Sequence, residues 1–295
     1  MPEPLISVVI PLYDKEREIE AALRSVLAQT CLPAEIIVVD DGSTDRGAER
    51  AEAVGSPLVR LVRQSNAGEY VALLDADDAW RPGFLEEIAA MIREFPGCGM
   101  YCTAFDILSR DGLFPAPTLR TRGVVENFFR DSAHRYIAIP SAVCIPKAVF
   151  GAVGGFPEGM KIAEDLHMWI RIASRYPVCF SPERLACYSK VASNRSAAGY
   201  TPERTRHSFE ELYDPSAPAE KREFIARAAL GKALILSAKG DTEAAARAAR
   251  AFSYTKTYRR TLRKVQVLNA LPVAWRSPLL GLYDALAWRL ARRGL

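Results

Sequence analysis

Apolar positions change period along this chain. Residues 6–10, Ile6-Ser7-Val8-Val9-Ile10, form a β-branched run stopped by Pro11, and residues 36–39, Ile36-Ile37-Val38-Val39, form a second stopped by Asp40-Asp41-Gly42-Ser43. Both predict parallel strands buried on two faces. Between them, within 16–29, Ile19, Leu23, Val26 and Leu27 recur at helical spacing. The opening is therefore a βαβ unit of the doubly wound kind, whose ligands gather at the carboxyl ends of the strands.

Residues 70–74 predict a further strand and 82–95 a helix with Phe84, Leu85, Ile88 and Ile92 on its apolar side. Residues 99–105 predict a strand, whereas 106–135 show no period and are interrupted by Pro115 and Pro117. A strand over 141–145, a short helix over 147–153 and a helix over 165–175 burying Leu166, Trp169, Ile170 and Ala173 follow. From about Ser196 the pattern turns polar, then Ala-rich. This suggests a domain over 1–197, a linker over 198–217 and a helical region over 218–295. Helices at 221–238 and 242–252 flank Lys239-Gly240-Asp241, with Gly as the stop and Asp241 as the next cap. Leu279, Leu282, Tyr283, Leu286 and Leu290 share one stripe of a last helix, near Trp275, Trp288, Arg289, Arg292 and Arg293.

Composition supports a folded chain. At 295 residues, 49% hydrophobic and 25% charged, it can bury a sizeable core. The six cysteines show no CxxC pair or zinc spacing, so reduced thiols of a cytoplasmic protein are expected. Neither a leader nor a membrane-spanning run is evident. The net charge of +4 conceals an asymmetry, because 256–295 hold nine Lys/Arg and one acid, Asp284. A basic amphipathic tail admits peripheral contact at the inner face of a membrane, packing onto the body being the commoner fate. No nucleic-acid recognition motif accompanies it.

Chemistry concentrates in Leu73-Leu74-Asp75-Ala76-Asp77-Asp78, where an apolar lead-in delivers three carboxylates into four residues. Acids so crowded call for a proton or a cation, and Mg2+ or Mn2+ suits hard oxygen ligands shared with substrate phosphate. A solvated acidic turn is the plainer alternative.

Pro11-Leu12-Tyr13, Asp40-Asp41-Gly42-Ser43-Thr44-Asp45, Asp75-Ala76-Asp77-Asp78, and Gly154-Gly155-Phe156 followed by Glu164-Asp165-Leu166 and Trp169 together resemble, in order and spacing, the inverting glycosyltransferases of family 2. The resemblance covers roughly residues 5–197. It implies an α/β GT-A fold, a Rossmann-like mixed sheet, here with a helical C-terminal appendage. It further implies a nucleoside diphosphate sugar donor, with uridine as the base, and a glycan or lipid-linked acceptor, as in cell-surface polysaccharide synthesis. Asp77 would be the metal ligand, with Asp75 on the metal or the ribose. Pro11, Tyr13, Glu16, Asp41 and Ser43 would hold the nucleotide. Asp165 would be the base, Glu164 would position it or contact the acceptor, and Trp80 and Trp169 would be sugar platforms. Structural alternatives stand beside these: Pro11 as a strand stop, Tyr13 as core, Asp41 as a turn acid, Asp165 as a helix cap. A phosphohydrolase of the haloacid dehalogenase type also uses Asp-x-Asp after a strand, but at its first strand.

Two departures from the family pattern matter. Relatives carry a helical stretch between Asn-x-Gly and Gly-Glu-Tyr, whereas here Asn66-Ala67-Gly68 runs straight into Glu69-Tyr70, a shortfall of about 16 residues. A strand over 58–63 and the next over 71–74 would lie about 22 Å apart on the diagonal, and a five-residue link reaches at most about 17 Å. Either the third strand shortens, shifts or is lost, or residues are missing from the sequence as recorded. A catalytically impaired binding or scaffolding protein is the corresponding alternative. The second departure is Ser189 and Val191, where relatives place Arg and His after the Tyr.

Overall fold

Strand β1 (Ile6–Leu12) is the seam of the first part of the sheet. It pairs in parallel with β2 (Glu35–Asp40) on one side and β4 (Tyr70–Leu73) on the other. Pro11 does not stop β1, contrary to expectation, and pairs in register with Val39. The reason lies in the alternation of backbone groups. Val9 accepts from Leu74 N–H on the β4 side and Leu12 accepts from Asp41 N–H on the β2 side. The donor that Pro11 lacks thus points toward β4, which has already ended, so no ladder bond is lost.

Helix α1 (Ile19–Leu27) starts three residues later than its apolar pattern predicts, because residues 14–18 are committed to contacts at the strand ends. It buries Ile19, Ala22, Leu23 and Val26. Gln29 is buried behind it, donating to the Ser25 and Arg81 carbonyls and accepting from Leu85 N–H. Helix α2 (Gly47–Ala53) leads to β3 (Val59–Leu61).

The structure, a computed structural model, describes residues 4–61, 69–191 and 205–281. In the sheet order β3-β2-β1-β4-β9-β6-β10-β5, β3 and β4 are separated by two strands, as the short link made problematic. Among the described residues the third strand spans Val59–Leu61. Leu61 is level with Val38, hence with Ile10, and Tyr70 pairs with Ile6. The chain must therefore cross about 14 Å sideways and 13 Å back, about 19 Å in all. Nine residue steps from Leu61 to Tyr70 reach about 30 Å, so the topology closes with the sequence as it stands.

Beyond β4 come β5 (Ala79–Trp80), α3 (Phe84–Glu94) and β6 (Met100–Ser109). Strand β6 runs on through part of the aperiodic region and folds back as a hairpin onto β7 (Gly112–Pro115). The connection is the two-residue loop Arg110-Asp111, and Asp111-Gly112 is its sequence signal. Short β8 (Gly123–Val124) and α4 (Phe128–Asp131), capped by Asn127, follow. A 3-10 turn, Pro140–Ala142, then leads into β9 (Val143–Pro146) and α5 (Lys147–Val153). Antiparallel β9 joins the two parallel halves by pairing with β4 and β6. After α6 (Glu164–Ala173), β10 (Val178–Ser189) pairs in parallel with β6 and antiparallel with β5 and β8. Its register shifts around Arg184, and the polar Ser181-Pro182-Glu183-Arg184 interruption hides the strand from pattern reading. The six cysteines are free thiols.

The chain divides into two compact units, one over Met1–Phe156 and Met168–Gly199 and the other over Pro157–His167 and Tyr200–Leu295. In the second, α7 (Ala219–Ala238), α8 (Thr242–Ala251) and α9 (Arg259–Ala270) pack together. Gly240, at φ +95°, ends α7, and Asp241 caps α8 by accepting from Ala244 N–H, as expected. Buried Arg276 donates to the carbonyls of Ser237, Asn269 and Leu271 and to Thr242 Oγ1, satisfying groups at the ends of α7 and α9. Residues 273–281 are helical. Leu282, Tyr283, Leu286, Trp288, Arg289, Leu290, Arg292 and Arg293 of the expected last helix lie outside the described residues. Among the described residues no helix is long and apolar enough to cross a membrane.

Gly99 enters β6 where a Cβ would come within 2.4 Å of Tyr176 Cβ and 3.0 Å of Ile172 Cγ2. Gly99→Ala is expected to destabilise the first unit by about 1–3 kcal/mol, read as a lower urea midpoint at unchanged m-value.

Candidate functional site

The turns that follow β1 and β2 are stitched together by polar side chains. Asp14, held at φ +48°, accepts from the backbone N–H groups of Thr44 and Asp45 and from Thr44 Oγ1, and donates its own N–H to Ser43 Oγ. Asp45 accepts from the N–H groups of Glu16 and Gly47, and Asp40 from that of Ser43. The left-handed backbone at Asp14 costs on the order of 1 kcal/mol, offset by bonds that fix two loops at once.

This stitching sorts the residues expected to hold a nucleotide. Tyr13 is 53% exposed, so it is not core and its ring is available for stacking. Pro11 and Asp41 are also exposed, beside it at the strand ends. Ser43 contacts Asp14, and the Glu16 carboxylate lies 3.6 Å from Arg50 and accepts from Arg46 N–H. Those two polar groups are thus engaged within the protein.

The acidic run opens directly after β4. Asp75, Asp77 and Asp78 each offer a carboxylate oxygen within 4.8 Å of the others. At about 5 Å and an effective dielectric of about 20, each pair of charges repels by about 3 kcal/mol. Two devices relieve this crowding. Lys15, which pattern reading missed, places Nζ 2.8 Å from Asp77 Oδ2, with both side chains largely buried. Asp78 is buried and fully engaged, its Oδ2 accepting from Ser141 Oγ at 2.5 Å and its Oδ1 from Ser189 N–H at 2.7 Å. Ser141 Oγ in turn accepts from Asp75 N–H.

Asp78 is therefore a structural anchor. Asp75 and Asp77 remain as the pair suited to a hard divalent cation, and their all-oxygen donor set fits Mg2+ or Mn2+. Ser189, the departure noted in the sequence, contributes its backbone to this anchor. No sequence pattern marks Ser141 or Lys15 beyond their nearness to other motifs.

Asp165 is the second residue of α6, within the second unit. Instead of capping the helix from outside, its Oδ1 accepts from Leu166 N–H at 2.7 Å in the first turn. Loss of solvation raises its pKa above the usual carboxylate value, partly opposed by bonds to the Leu166 and Asp165 N–H groups. A carboxylate whose pKa is raised is a stronger proton acceptor than an ordinary one. Ala163 precedes α6 at φ +60°, an uncommon conformation for a residue with a side chain. Glu164 opens the helix beside Asp165.

The two expected sugar platforms are corrected by the structure. Trp80 is 4% exposed, stacks on Phe84 at 4.1 Å and donates its indole N–H to the Ser141 carbonyl. Trp169 is 1% exposed and packs edge-on against Phe156. Both are core residues, because their apolar area contributes more buried than exposed.

Residues 7–150 match the family model described as glycosyl transferase family 2. An uncharacterized protein of Mycobacterium tuberculosis, MT1568, is 27% identical over 223 residues, 66% of this chain and 70% of that one. The uncharacterized glycosyltransferase YibD of Escherichia coli is 34% identical over 140 residues, 41% of each chain. Among solved structures, S. aureus TarS 1-349 in complex with UDP-GlcNAc superposes with a TM-score of 0.58 at 21% identity, covering 86% of this chain and 74% of that one. TarS 1-349 in complex with UDP gives 0.57 at 18% identity over 95% and 91%. At such identity the likeness establishes the fold, the GT-A arrangement of a mixed sheet with flanking helices.

Replacing Ser141 by Ala would remove both the donor to Asp78 and the acceptor of Asp75 N–H. The expected cost is about 1–3 kcal/mol, measured by chemical denaturation.

Proposed function

The chain belongs to glycosyltransferase family 2 through residues 7–150, and on that premise we propose that it transfers a sugar from a nucleoside diphosphate sugar to a hydroxyl of a glycan or lipid-linked acceptor, inverting the anomeric centre. The observation that carries this reading is the grouping of Asp75 and Asp77 beside Lys15 at the β4 terminus, next to exposed Tyr13 and Asp41 at the ends of β1 and β2. The uridine preference draws support from the UDP and UDP-GlcNAc complexes of TarS.

In this reading Tyr13 stacks on the base, with Asp41 hydrogen-bonding its edge and Pro11 walling it. Asp75 and Asp77 would hold Mg2+ or Mn2+, which when bound neutralises the charge that grows on the departing diphosphate. Lys15 adds positive charge at the same place. Ser43 and Glu16, busy within the turns, shape the pocket by holding those turns. Asp165 takes the proton from the acceptor hydroxyl as the oxygen attacks, and Glu164 orients the acceptor. A single displacement of this type converts an α-linked donor into a β-linked product for D-sugars. The reach argument for β3 favours an active enzyme over the binding or scaffolding alternative, since the short link no longer opposes an ordered β4.

The C-terminal segment extends the proposal to a peripheral position on the inner membrane face. Val273, Trp275 and Leu279 are exposed, as are Arg259, Arg260 and Arg263 on α9. Co-sedimentation with vesicles containing anionic lipid, abolished in neutral vesicles or at high salt, is the expected result. Binding indifferent to lipid charge would sink this extension.

Asp77→Asn is expected to lower transfer at least about a hundredfold, and Asp165→Asn by about 100- to 10,000-fold, with unchanged circular dichroism. The measurement is sugar transfer with Mn2+ and a panel of donors, and full activity in Asp165→Asn refutes the base assignment. Because Asp165 must be ionised to act and its pKa is raised, kcat/KM should fall with acid at a pH above the usual carboxylate range.

A further inference from the structure

The second unit holds a cluster that the transfer reaction does not use. His167 Nε2 lies 2.7 Å from Glu211 Oε1, and His207 Nδ1 lies 3.1 Å from that same oxygen. All three donor atoms fall within 4.8 Å of one another. His167 is 1% exposed and sits on α6, whereas His207 and Glu211 are four residues apart around the 3-10 turn Phe209–Leu212. All three residues belong to the same compact unit.

We propose that His167, His207 and Glu211 form a zinc site. Two imidazoles and one carboxylate are the ligand set of an open tetrahedral zinc centre, with the fourth position left to water. Zinc bonds of about 2.0–2.1 Å place tetrahedral ligand atoms about 3.3 Å apart. The His–Glu separations of 2.7 and 3.1 Å are shorter than that edge by about 0.6 and 0.2 Å, so side-chain shifts of that size would admit the ion. Both rings meet the same oxygen, Oε1, so an ion placed among the three atoms would replace both hydrogen bonds at once.

The surroundings suit a metal site. The His167 ring packs against Phe209 at 5.7 Å and His207 at 5.8 Å, and Phe209 is buried, which limits ring rotation. His207 and Glu211 keep 28% and 40% of their side chains exposed, and His207 also lines a cavity of about 590 Å3. Metal and its water therefore have an entry path. His167 follows Asp165 by two residues, so the ion would tie the first turn of α6 to the 207–211 segment. Asp165 would thereby be positioned by a metal distinct from the one proposed for the diphosphate.

The test is zinc titration of the chelator-stripped full chain against a competing chromophoric chelator, with Co2+ as a spectroscopic substitute. Wild type and Asp77→Asn should each bind one zinc, and their Co2+ forms should show the visible bands of a tetrahedral site. His207→Ala and Glu211→Gln, at partly exposed positions, should weaken zinc more than about tenfold and lose those bands while keeping native circular dichroism. Absence of stoichiometric zinc in the wild type, or undiminished affinity in both variants, overturns the proposal and leaves a hydrogen-bonded triad. The titration reads binding alone, so it stands whether or not Asp165 is the base.

Discussion

Three carboxylates in four residues cannot share one strand end without compensation, and much of the first unit is arranged to supply it. Asp78 is drawn inward and saturated by Ser141 and the Ser189 backbone. Asp77 meets an ammonium brought from the β1 turn. Because Ser141 precedes β9, Ser189 ends β10 and Lys15 follows β1, the acidic run binds together segments that are far apart in sequence. Polar groups buried this deeply are stabilising only while every partner is present, which makes the site and the fold mutually dependent.

The same economy governs the β1 and β2 turns. Asp14 and Asp45 satisfy backbone donors that would otherwise be exposed at the edge of a ligand site. Their carboxylates are spent on shape, leaving Tyr13 and Asp41 outward. In the second unit, Arg276 plays a comparable part for helix ends by gathering carbonyls from α7, α9 and the turn after it. A single long side chain with five donors can close several helix termini at once.

The βαβ opening, α3 and α6 were legible because their apolar periods are strong, and the first two C-terminal helices because they are rich in Ala and meet at the Gly240 stop and the Asp241 cap. Strand β10 was not, since Pro182 and the charged pair after it break the pattern where the register shifts. The hairpin of β6 and β7 carried a turn signal at Asp111-Gly112 that the surrounding prolines obscured. Helix α9 hides its three buried positions, Leu262, Val265 and Leu268, among basic residues that read first as charge. At the site, motif reading located the acids but could not divide them into ligand and anchor. That division depends on Ser141 and Ser189, which are distant in sequence and ordinary in type. Trp80 and Trp169 were misread for a related reason: residue type alone does not reveal whether an aromatic ring faces a sugar or the core.

Antiparallel β9 lies between β4 and β6, so its entry end adjoins the exit end of β4, where Leu73 pairs with Val143. Ser141, two residues before β9, therefore stands beside the residues that follow β4 and can bond Asp75 N–H and the Asp78 carboxylate. A parallel strand at that place would enter the sheet at its opposite edge and carry such a serine away from the acids.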